Sequence, residues 1–353
     1  MRSRWEELFQ MDCELAALGW KDATVERAAV LPLGSEEFRQ KVASIMYFRD
    51  DCPDGFLSDD HNVLFIYGLR SGKEQSLLRY RRYDGPPEIV KGIVSRCDPL
   101  HIERFVLNSR YGHGDFSLPF SNADIAAIML VSDPDLGLEI PRSQEYLHGW
   151  VSVAAKVIAN LDRIGNPDNL TLPTREELMP RLQEHIAVVL EQNFPLWEAL
   201  GYLLIHMSNA GLFDRSRLIE LFLNSIEHAP RVFPRRIIVQ LLKDYLAVTD
   251  AELYQHRAKL IPYLKQADLF YIKSFGRWLI PMLDDCELTA VSAGALRVKN
   301  VKRQREILQT LLDRAVPPRE VPQELTTIIR SLAESPDSEV AKRAKNLSHE
   351  WFG

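Results

Sequence analysis

Two loops of this sequence carry the side chains that are best suited to hydrolysis or metal binding. The candidates are two histidines and three aspartates: Asp59, Asp60, His61, His113 and Asp115. A histidine between glycines, such as His113, can be exposed on a loop, and a nearby carboxylate such as Asp115 can orient it as a base or as a metal ligand. Because the two loops are far apart in the chain, a joint site requires the fold to bring them together. The alternative interpretation is a pair of surface turns.

The acidic loop from Asp50 to Gly55 has two features of an EF-hand calcium loop. Asp54 and Gly55 fit the fifth and sixth positions of such a loop. Cys52 and His61 stand at the third and twelfth positions, where the calcium ion needs oxygen ligands. We therefore interpret the loop as a solvated acidic turn and predict no calcium site.

Cysteine and glycine spacing gives no sign of a bound metal or nucleotide. The sequence contains four cysteines, which are far apart and form no Cys-x-x-Cys pair: Cys13, Cys52, Cys97 and Cys286. This spacing indicates neither a disulfide framework nor a cysteine zinc site. Gly112 and Gly114 lack the Gly-Lys-Ser/Thr continuation of a phosphate-binding loop and the third glycine of a dinucleotide-binding loop. We predict no metal, no cofactor and no enzymatic activity.

Two basic runs are the candidate partner-binding residues. The first run, Arg79 to Tyr83, interleaves guanidinium groups with aromatic rings, which can stack on bases or bind carboxylates and phosphates. The second run, Arg297 to Arg305, carries five positive charges and no acidic residue. The candidate side chains of the two runs are Arg79, Arg81, Arg82, Arg297, Lys299, Lys302, Arg303 and Arg305. A solvated helical face, an acidic protein partner and a nucleic acid each account for such runs.

Composition is that of an ordinary globular protein. Of the 353 residues, 46% are hydrophobic and 26% are charged, and the net charge is -6. A negative net charge disfavours attraction of the whole protein to a phosphate backbone. Glu6 and Glu7 come before any apolar signal-peptide region can begin, and no apolar run is long enough to span a membrane. Together with the scattered cysteines, these features predict a cytoplasmic protein.

Amphipathic helices follow one another from Leu178 to Phe352. Between Ile237 and Leu246 the apolar residues recur with the helical period and leave the charged residues on the opposite face. Threonine and glutamate three positions apart predict capping boxes at Thr174 and Thr249. Asp214 and Asp268 are further predicted caps. The pattern predicts an all-α fold.

A five-residue signature recurs along these helices. Its copies are Leu178 to Leu182, Leu260 to Leu264 and Leu279 to Leu283, each with a proline in the middle. The spacing of the copies fits helix pairs stacked with a period of about forty residues, which is typical of an α-solenoid. The prolines are expected to bend their helices because each one removes a backbone hydrogen bond.

The end of the chain resembles part of a HEAT-type repeat. Between Ser335 and Ala344, Asp337 stands at the helix cap, Val340 at a core position, and basic residues follow. The resemblance implies stacked antiparallel helix pairs with a curved surface. It implies no activity, because such a fold serves many functions.

Two regions are predicted. Residues 1–165 form an irregular, mainly helical N-terminal region, and residues 174–353 form a HEAT-like repeat region, with one continuous solenoid as the alternative. The boundary lies in the Gly-, Pro- and Asn-rich segment between residues 162 and 174. Val63 to Tyr67 fits a helix or a buried strand, and we favour the helix.

These observations predict a non-enzymatic protein-protein interaction module that binds an acidic protein partner on a curved helical surface. An immunity or antitoxin-type protein and an adaptor are both versions of this function. The first alternative is a nucleic-acid-binding helical repeat protein that contacts phosphates through the run from Arg297 to Arg305. The second alternative is a hydrolase that uses His113 and Asp115.

Overall fold

The computed structural model describes residues 4–47, 60–71, 83–109, 121–161, 170–192, 196–229, 231–314 and 318–352. Helical segments make up 74% of these residues, and none of them lies in a β-strand. The prediction of an all-α fold is therefore confirmed for the described part of the chain. The chain divides into two compact units, Met1–Leu203 and Leu204–Gly353. The boundary predicted between residues 165 and 174 stays a prediction, and residues 162–169 lie outside the described residues.

The first unit contains ten helices in its described ranges, and an eleventh spans the division between the units. They are α1 (Arg4–Ala17), α2 (Val25–Ala28), α3 (Glu36–Tyr47), α4 (His61–Arg70), α5 (Pro87–Val94), α6 (Pro99–Asn108), α7 (Asn122–Ser132), α8 (Gln144–Ile158), α9 (Arg175–Leu178), α10 (Leu182–Glu191) and α11 (Glu198–Asn209). Two short 3-10 turns, Pro134–Leu136 and Met179–Arg181, follow α7 and α9.

Helix α7 is the centre of the first unit. Every residue from Asn122 to Ser132 is buried, and α5, α6 and α9 all pack against this helix. A helix that is covered on all sides needs no polar face, which explains why α7 is apolar all round. Helix α4 buries Val63, Phe65 and Tyr67. The choice of helix over strand for this segment is therefore confirmed.

The second unit contains ten helices in its described ranges. They are α12 (Arg215–His228), α13 (Val232–Gln240), α14 (Asp250–Gln255), α15 (Arg257–Lys265), α16 (Leu269–Tyr271), α17 (Arg277–Leu279), α18 (Asp285–Leu296), α19 (Val301–Leu312), α20 (Gln323–Ala333) and α21 (Ser338–Phe352). Two π-helical segments, Leu241–Tyr245 and Ile272–Gly276, continue α13 and join α16 to α17, and a 3-10 turn, Ile280–Met282, follows α17.

Helices of the second unit pack mainly against helices that are close in sequence. Helix α12 contacts α13, α15 contacts α18, and α18 contacts both α19 and α20. Helix α21 covers α19 and α20 and buries Val340, Ala344 and Leu347 completely. Such local packing builds a core from successive helices.

The leucines of the recurring signature are core residues in all three copies. The first and last leucine of each copy is at most 2% exposed. These leucines are Leu178, Leu182, Leu260, Leu264, Leu279 and Leu283. The prolines between them differ in setting, because Pro262 lies inside α15, whereas Pro180 and Pro281 lie in 3-10 turns. The expectation that each proline bends its helix is wrong for Pro281, because the helix ends there and Leu283 is extended. At Pro180 the 3-10 turn interrupts the α-helical pattern, which resumes at Leu182.

Helix starts follow the predicted capping chemistry. Thr174 with Glu177 and Thr249 with Glu252 form capping boxes, in which each threonine oxygen accepts from the glutamate backbone N–H. Asp214 caps α12 in the same way. No helix in the described ranges combines the length and the apolar character that crossing a membrane requires.

Candidate functional site

The second basic run covers the end of α18, the following turn and the start of α19. Asn300 caps α19 by accepting a hydrogen bond from the Arg303 backbone N–H at 3.1 Å. Lys299 and Lys302 are exposed, and Arg303 is half-buried. The first turn of α19 contains no acidic residue. Because a helix N-terminus favours negative charge, Lys302 and Arg303 do not stabilise this helix through its dipole.

Two cations of the run pair with carboxylates of neighbouring elements. Arg305 makes two contacts to Asp337, with Nε 3.0 Å from Oδ1 and Nη2 2.5 Å from Oδ2. These hydrogen bonds lower the pKa of the Asp337 carboxyl and raise the pKa of Arg305. Arg297 forms an ion pair with Glu324 of α20. Arg297 and Arg305 are therefore engaged within the protein.

The other three cations differ from these two. Across the described ranges, no carboxylate lies within ion-pair distance of Lys299, Lys302 or Arg303. We call these three side chains the cationic ridge. Their charges are available to an external anion, whereas those of Arg297 and Arg305 are already partly neutralised. The five cations look alike in the sequence, but in the described part of the structure two of them are paired with carboxylates and three are not.

A groove of about 590 Å³ lies beside the ridge. Its walls come from the end of α18, from the run itself and from one face of α20. The lining residues are Leu296, Arg297, Lys299, Gln304, Glu324, Thr327, Ile328, Ser331 and Leu332. The α20 residues in this set recur at helical spacing, which places them on a single face of about two turns.

The groove has an apolar floor and a polar rim. Leu296 is buried at its base, and Ile328 and Leu332 are half-buried along α20. The Gln304 amide donates to the Leu296 carbonyl at 3.3 Å, and this hydrogen bond links α19 to the end of α18 in the groove wall. The side chains of Arg297 and Lys299 contribute positive charge to the lining. Such a surface matches a ligand that combines apolar and acidic groups.

Sequence reasoning missed the α20 side of this groove. The apolar residues Leu325, Ile328, Ile329 and Leu332 read as one core stripe because their spacing is that of a single helical face. In the structure Leu325 and Ile329 are completely buried, whereas Ile328 and Leu332 are half-exposed. The apolar stripe of α20 is wider than packing against α21 requires. This excess width is the sequence signal that could have revealed the groove.

The first basic run is described only at its last residue. Arg79, Arg81 and Arg82 lie outside the described residues. Tyr83 is completely buried, donates from its hydroxyl to the Pro86 carbonyl at 3.1 Å and packs against Phe65. Burial raises the pKa of this phenol. Tyr83 is therefore a core residue.

The histidine and aspartate group is also described only in part. Asp59, His113 and Asp115 lie outside the described residues, as does the acidic loop from Asp50 to Gly55. Asp60 caps α4 by accepting from the Asn62 backbone N–H at 2.8 Å, and the His61 Nε2 atom lies 3.5 Å from Asp84 Oδ2. Within the described ranges, no three His, Cys, Asp or Glu side chains are arranged to hold a metal ion.

Asn122 joins three segments of the first unit that are far apart in the sequence. Its amide donates to the carbonyls of Asp84 at 3.2 Å and Gly85 at 2.8 Å, and its oxygen accepts from the Thr171 N–H at 2.9 Å. The Asn122 backbone N–H donates to the Tyr83 carbonyl at 2.9 Å. Asn122 is itself 1% exposed, whereas its partners Asp84 and Gly85 are half-buried and Thr171 is exposed. Asn122 therefore has a structural role.

His185 occupies the core of the first unit. Its Nε2 atom lies 2.8 Å from the Tyr146 hydroxyl, its Nδ1 atom lies 2.9 Å from the Arg181 carbonyl, and its ring stacks on Trp150. Because the carbonyl can only accept, Nδ1 carries the proton and Nε2 accepts from Tyr146. Burial lowers the pKa of His185 to about 3. His185 is therefore a hydrogen-bonded packing residue of the core.

Comparisons with protein families, with curated proteins and with solved structures returned no match to this chain. The cationic ridge and the groove beside it are the features of this chain that point to a function.

Proposed function

We propose that this chain is a non-enzymatic, cytoplasmic protein-binding module that binds an acidic protein partner through its basic run. The observation that carries the proposal is the cationic ridge, whose three side chains have no carboxylate partner in the described ranges. One of them, Lys299, lines the groove with the apolar floor. Exposed cations beside apolar surface steer an acidic partner and then pair with it as water is excluded.

A recurring ion pair supports a HEAT-like solenoid as the architecture of the second unit. Arg215 pairs with Glu252, Arg257 pairs with Glu287, and Arg305 pairs with Asp337. The partners are 37, 30 and 32 residues apart, and each carboxylate lies at the N-terminus of a later helix. The same link between successive helices is what stacked repeats of related helix pairs produce.

Three features favour a protein partner over a nucleic acid. The net charge of -6 opposes binding to a polyanion, and a ridge of three cations is short for a phosphate backbone. The groove adds an apolar floor, which phosphates do not use. A neutralising role of the immunity or antitoxin type and an adaptor role both use such a surface, and we include both in the proposal. A hydrolase that uses His113 and Asp115 remains the alternative that involves the first unit.

Charge reversal of the ridge tests the proposal. Affinity capture from the native cell with the wild-type chain identifies the partner, and the variant Lys302→Glu/Arg303→Glu is expected to lose it. The matched control is Arg231→Glu/Arg236→Glu, which reverses two exposed cations at α13. If both variants retain every partner of the wild type, the ridge is only a solvated face.

Salt dependence separates the two classes of partner. For an acidic protein, binding to the purified chain should weaken modestly between 50 and 200 mM salt, because few ion pairs form (~two to four contacts). For a nucleic acid, the logarithm of affinity falls with the logarithm of salt by roughly one unit per phosphate contacted. A steep slope with single-stranded or duplex oligonucleotides would move the function to the nucleic-acid class.

A further inference from the structure

The groove beside the cationic ridge shows which kind of acidic partner the chain is built to hold. We infer that it binds a peptide segment in which one large apolar side chain is flanked by carboxylates, and that Glu324 competes with those carboxylates for Arg297. This inference rests on the proposed function, because it assigns a partner chemistry to the same surface. The inference adds two points to the proposed function: the partner inserts an apolar side chain, and Glu324 competes with its carboxylates.

The apolar determinant follows from the groove floor. Ile328 and Leu332 stand one turn apart on the same face of α20, with Leu296 buried behind them. Thr327 and Ser331, each one position before its apolar neighbour, also line the groove and are too small to close it. A volume of about 590 Å³ accommodates one or two large side chains together with part of a backbone. Because the exposed face extends for about two helical turns, or roughly 12 Å, it fits a short segment rather than a whole helix bundle.

The charge determinant follows from the rim. Lys299 lines the groove, and Lys302 and Arg303 extend the ridge beyond it. Carboxylates next to the inserted apolar residue can therefore meet cations along this rim without crossing the apolar floor. Two or more acidic residues in the segment are needed to use this arrangement.

Glu324 has the position of an internal competitor. It lines the groove and forms an ion pair with Arg297, which also lines it. The side chains of Arg297 and Glu324 are 57% and 61% exposed, so water weakens their attraction and the pair can be exchanged. A carboxylate of the bound segment replaces Glu324 as the partner of Arg297. Glu324 thus lowers the affinity of the chain for the segment, and it makes this affinity depend on the number of carboxylates in the segment.

Selection from a random twelve-residue peptide library on the immobilised full chain tests this chemistry. We expect enriched peptides to share a Leu, Ile, Phe or Trp with at least two Asp or Glu residues nearby. For the tightest synthetic peptide, Ile328→Ser and Leu332→Ser should each weaken binding by about tenfold, because each removes apolar contact area. Ile237→Ser, at another half-buried isoleucine on α13, is the matched control.

The variant Glu324→Gln tests the competitor directly. We expect it to bind the same peptide several-fold more tightly, because it frees Arg297 and removes a repelling carboxylate. Glu220→Gln is the control, since Glu220 also pairs with a cation, Lys259, and lies on α12 outside the groove. A purely structural ion pair predicts unchanged or weaker binding for both variants.

The outcomes separate the inference from the proposed function. Peptide binding that depends on Lys302 and Arg303 but is unchanged by Ile328→Ser and Glu324→Gln would retain the proposed function and overturn the inference. Enriched peptides without acidic residues would overturn both. Preference for a small dicarboxylate such as glutarate over every selected peptide would assign the groove to a small molecule and would also overturn the inference.

Discussion

Arg305 and Asp337 are joined by two parallel contacts of 3.0 and 2.5 Å, and Asp337 also accepts from the Val340 N–H at 2.9 Å. One carboxylate thus links α19 to the N-terminus of α21. In addition, an Arg343 guanidinium nitrogen donates to the Arg305 carbonyl at 2.6 Å. An arginine that belongs to a predicted partner-binding run is therefore part of the packing between two helices.

Alanine substitution should separate the two kinds of cation in this run. We expect Arg305→Ala to lower the free energy of unfolding clearly, because it removes a two-point pair to a helix cap. Lys302→Ala should change it by less than about 0.5 kcal/mol, because an exposed side chain without a partner contributes little. Urea denaturation of both variants measures the difference. Equal losses in the two variants would show that Arg305 is not a structural link.

The helical character of the chain could be predicted because it depends on local patterns. The capping boxes at Thr174 and Thr249, and the caps at Asp214 and Asp268, formed as predicted. Each one needs only a side chain and a backbone group that are two or three residues apart. The leucines of the recurring signature are buried for a similar reason, since helical spacing alone places them on one face.

Longer-range features could not be predicted in the same way. The pairing of Arg305 with Asp337 joins residues 32 positions apart, and spacing within one helix carries no information about it. The division of the apolar residues of α20 between core and groove depends on how far neighbouring helices cover that face. The prolines differed for a related reason, because whether Pro281 bends or ends a helix depends on the chain that follows.

Asn122→Ala should strongly destabilise the first unit. The alanine leaves the half-buried Gly85 carbonyl and the exposed Thr171 N–H without the partner that Asn122 gives them. A buried group left unsatisfied costs about 1–3 kcal/mol, and water can reach Thr171, so we expect a loss of about 1–3 kcal/mol. Denaturation monitored by far-ultraviolet circular dichroism measures it, with the exposed Asn209→Ala as control. A loss below 1 kcal/mol would argue against Asn122 as an organising residue.

The ion pair between Arg215 and Glu252, which links α12 to α14, should weaken in acid. Hydrogen bonds from Arg215 lower the pKa of Glu252 to about 2 from its ordinary 4.5. A depressed carboxyl pKa stabilises the fold above pH 4.5, and this contribution is lost as the pH falls through 2. Arg215→Ala should raise the pKa of Glu252 and remove about 0.5–1 kcal/mol at neutral pH, since the pair is partly exposed. Carboxyl titration by NMR follows this pKa, and an unchanged value would disprove the coupling.

Removal of the last two helices should expose the apolar faces that they cover. A chain that ends at Arg314 lacks α20 and α21, which pack on α18 and α19. Leu308 and Leu311, both completely buried in the full chain, lie on α19 beneath this cover. We expect the shortened chain to bind a hydrophobic dye and to unfold with reduced cooperativity, because a terminal repeat protects a stack. A shortened chain that is monomeric, unfolds in a sharp thermal transition and binds no dye would count against continuous stacking.

The buried His185 should make the stability of the first unit fall in mild acid. In the folded chain its pKa is lowered to about 3 by burial, whereas an unfolded histidine titrates near 6.5. Below pH 6.5 the unfolded chain therefore binds a proton that the folded chain does not, and the stabilisation is lost progressively as the pH falls towards 3. One such proton corresponds to a slope of about 1.4 kcal/mol per pH unit.

Replacing the titrating ring isolates this contribution from those of the carboxylates. His185→Gln is expected to lower stability at pH 7 by about 2–4 kcal/mol, because the Tyr146 hydroxyl loses a well-placed acceptor and the stacking on Trp150 is lost. The same variant should show a shallower loss of stability between pH 6.5 and 4 than the wild type, by up to about 1.4 kcal/mol per unit. His349→Gln, at an exposed position on α21, removes a histidine without touching the core. Urea denaturation at half-unit intervals gives the three profiles. Parallel profiles for the wild type and His185→Gln would mean that His185 takes up its proton in the folded chain and that the core around Trp150 opens to water.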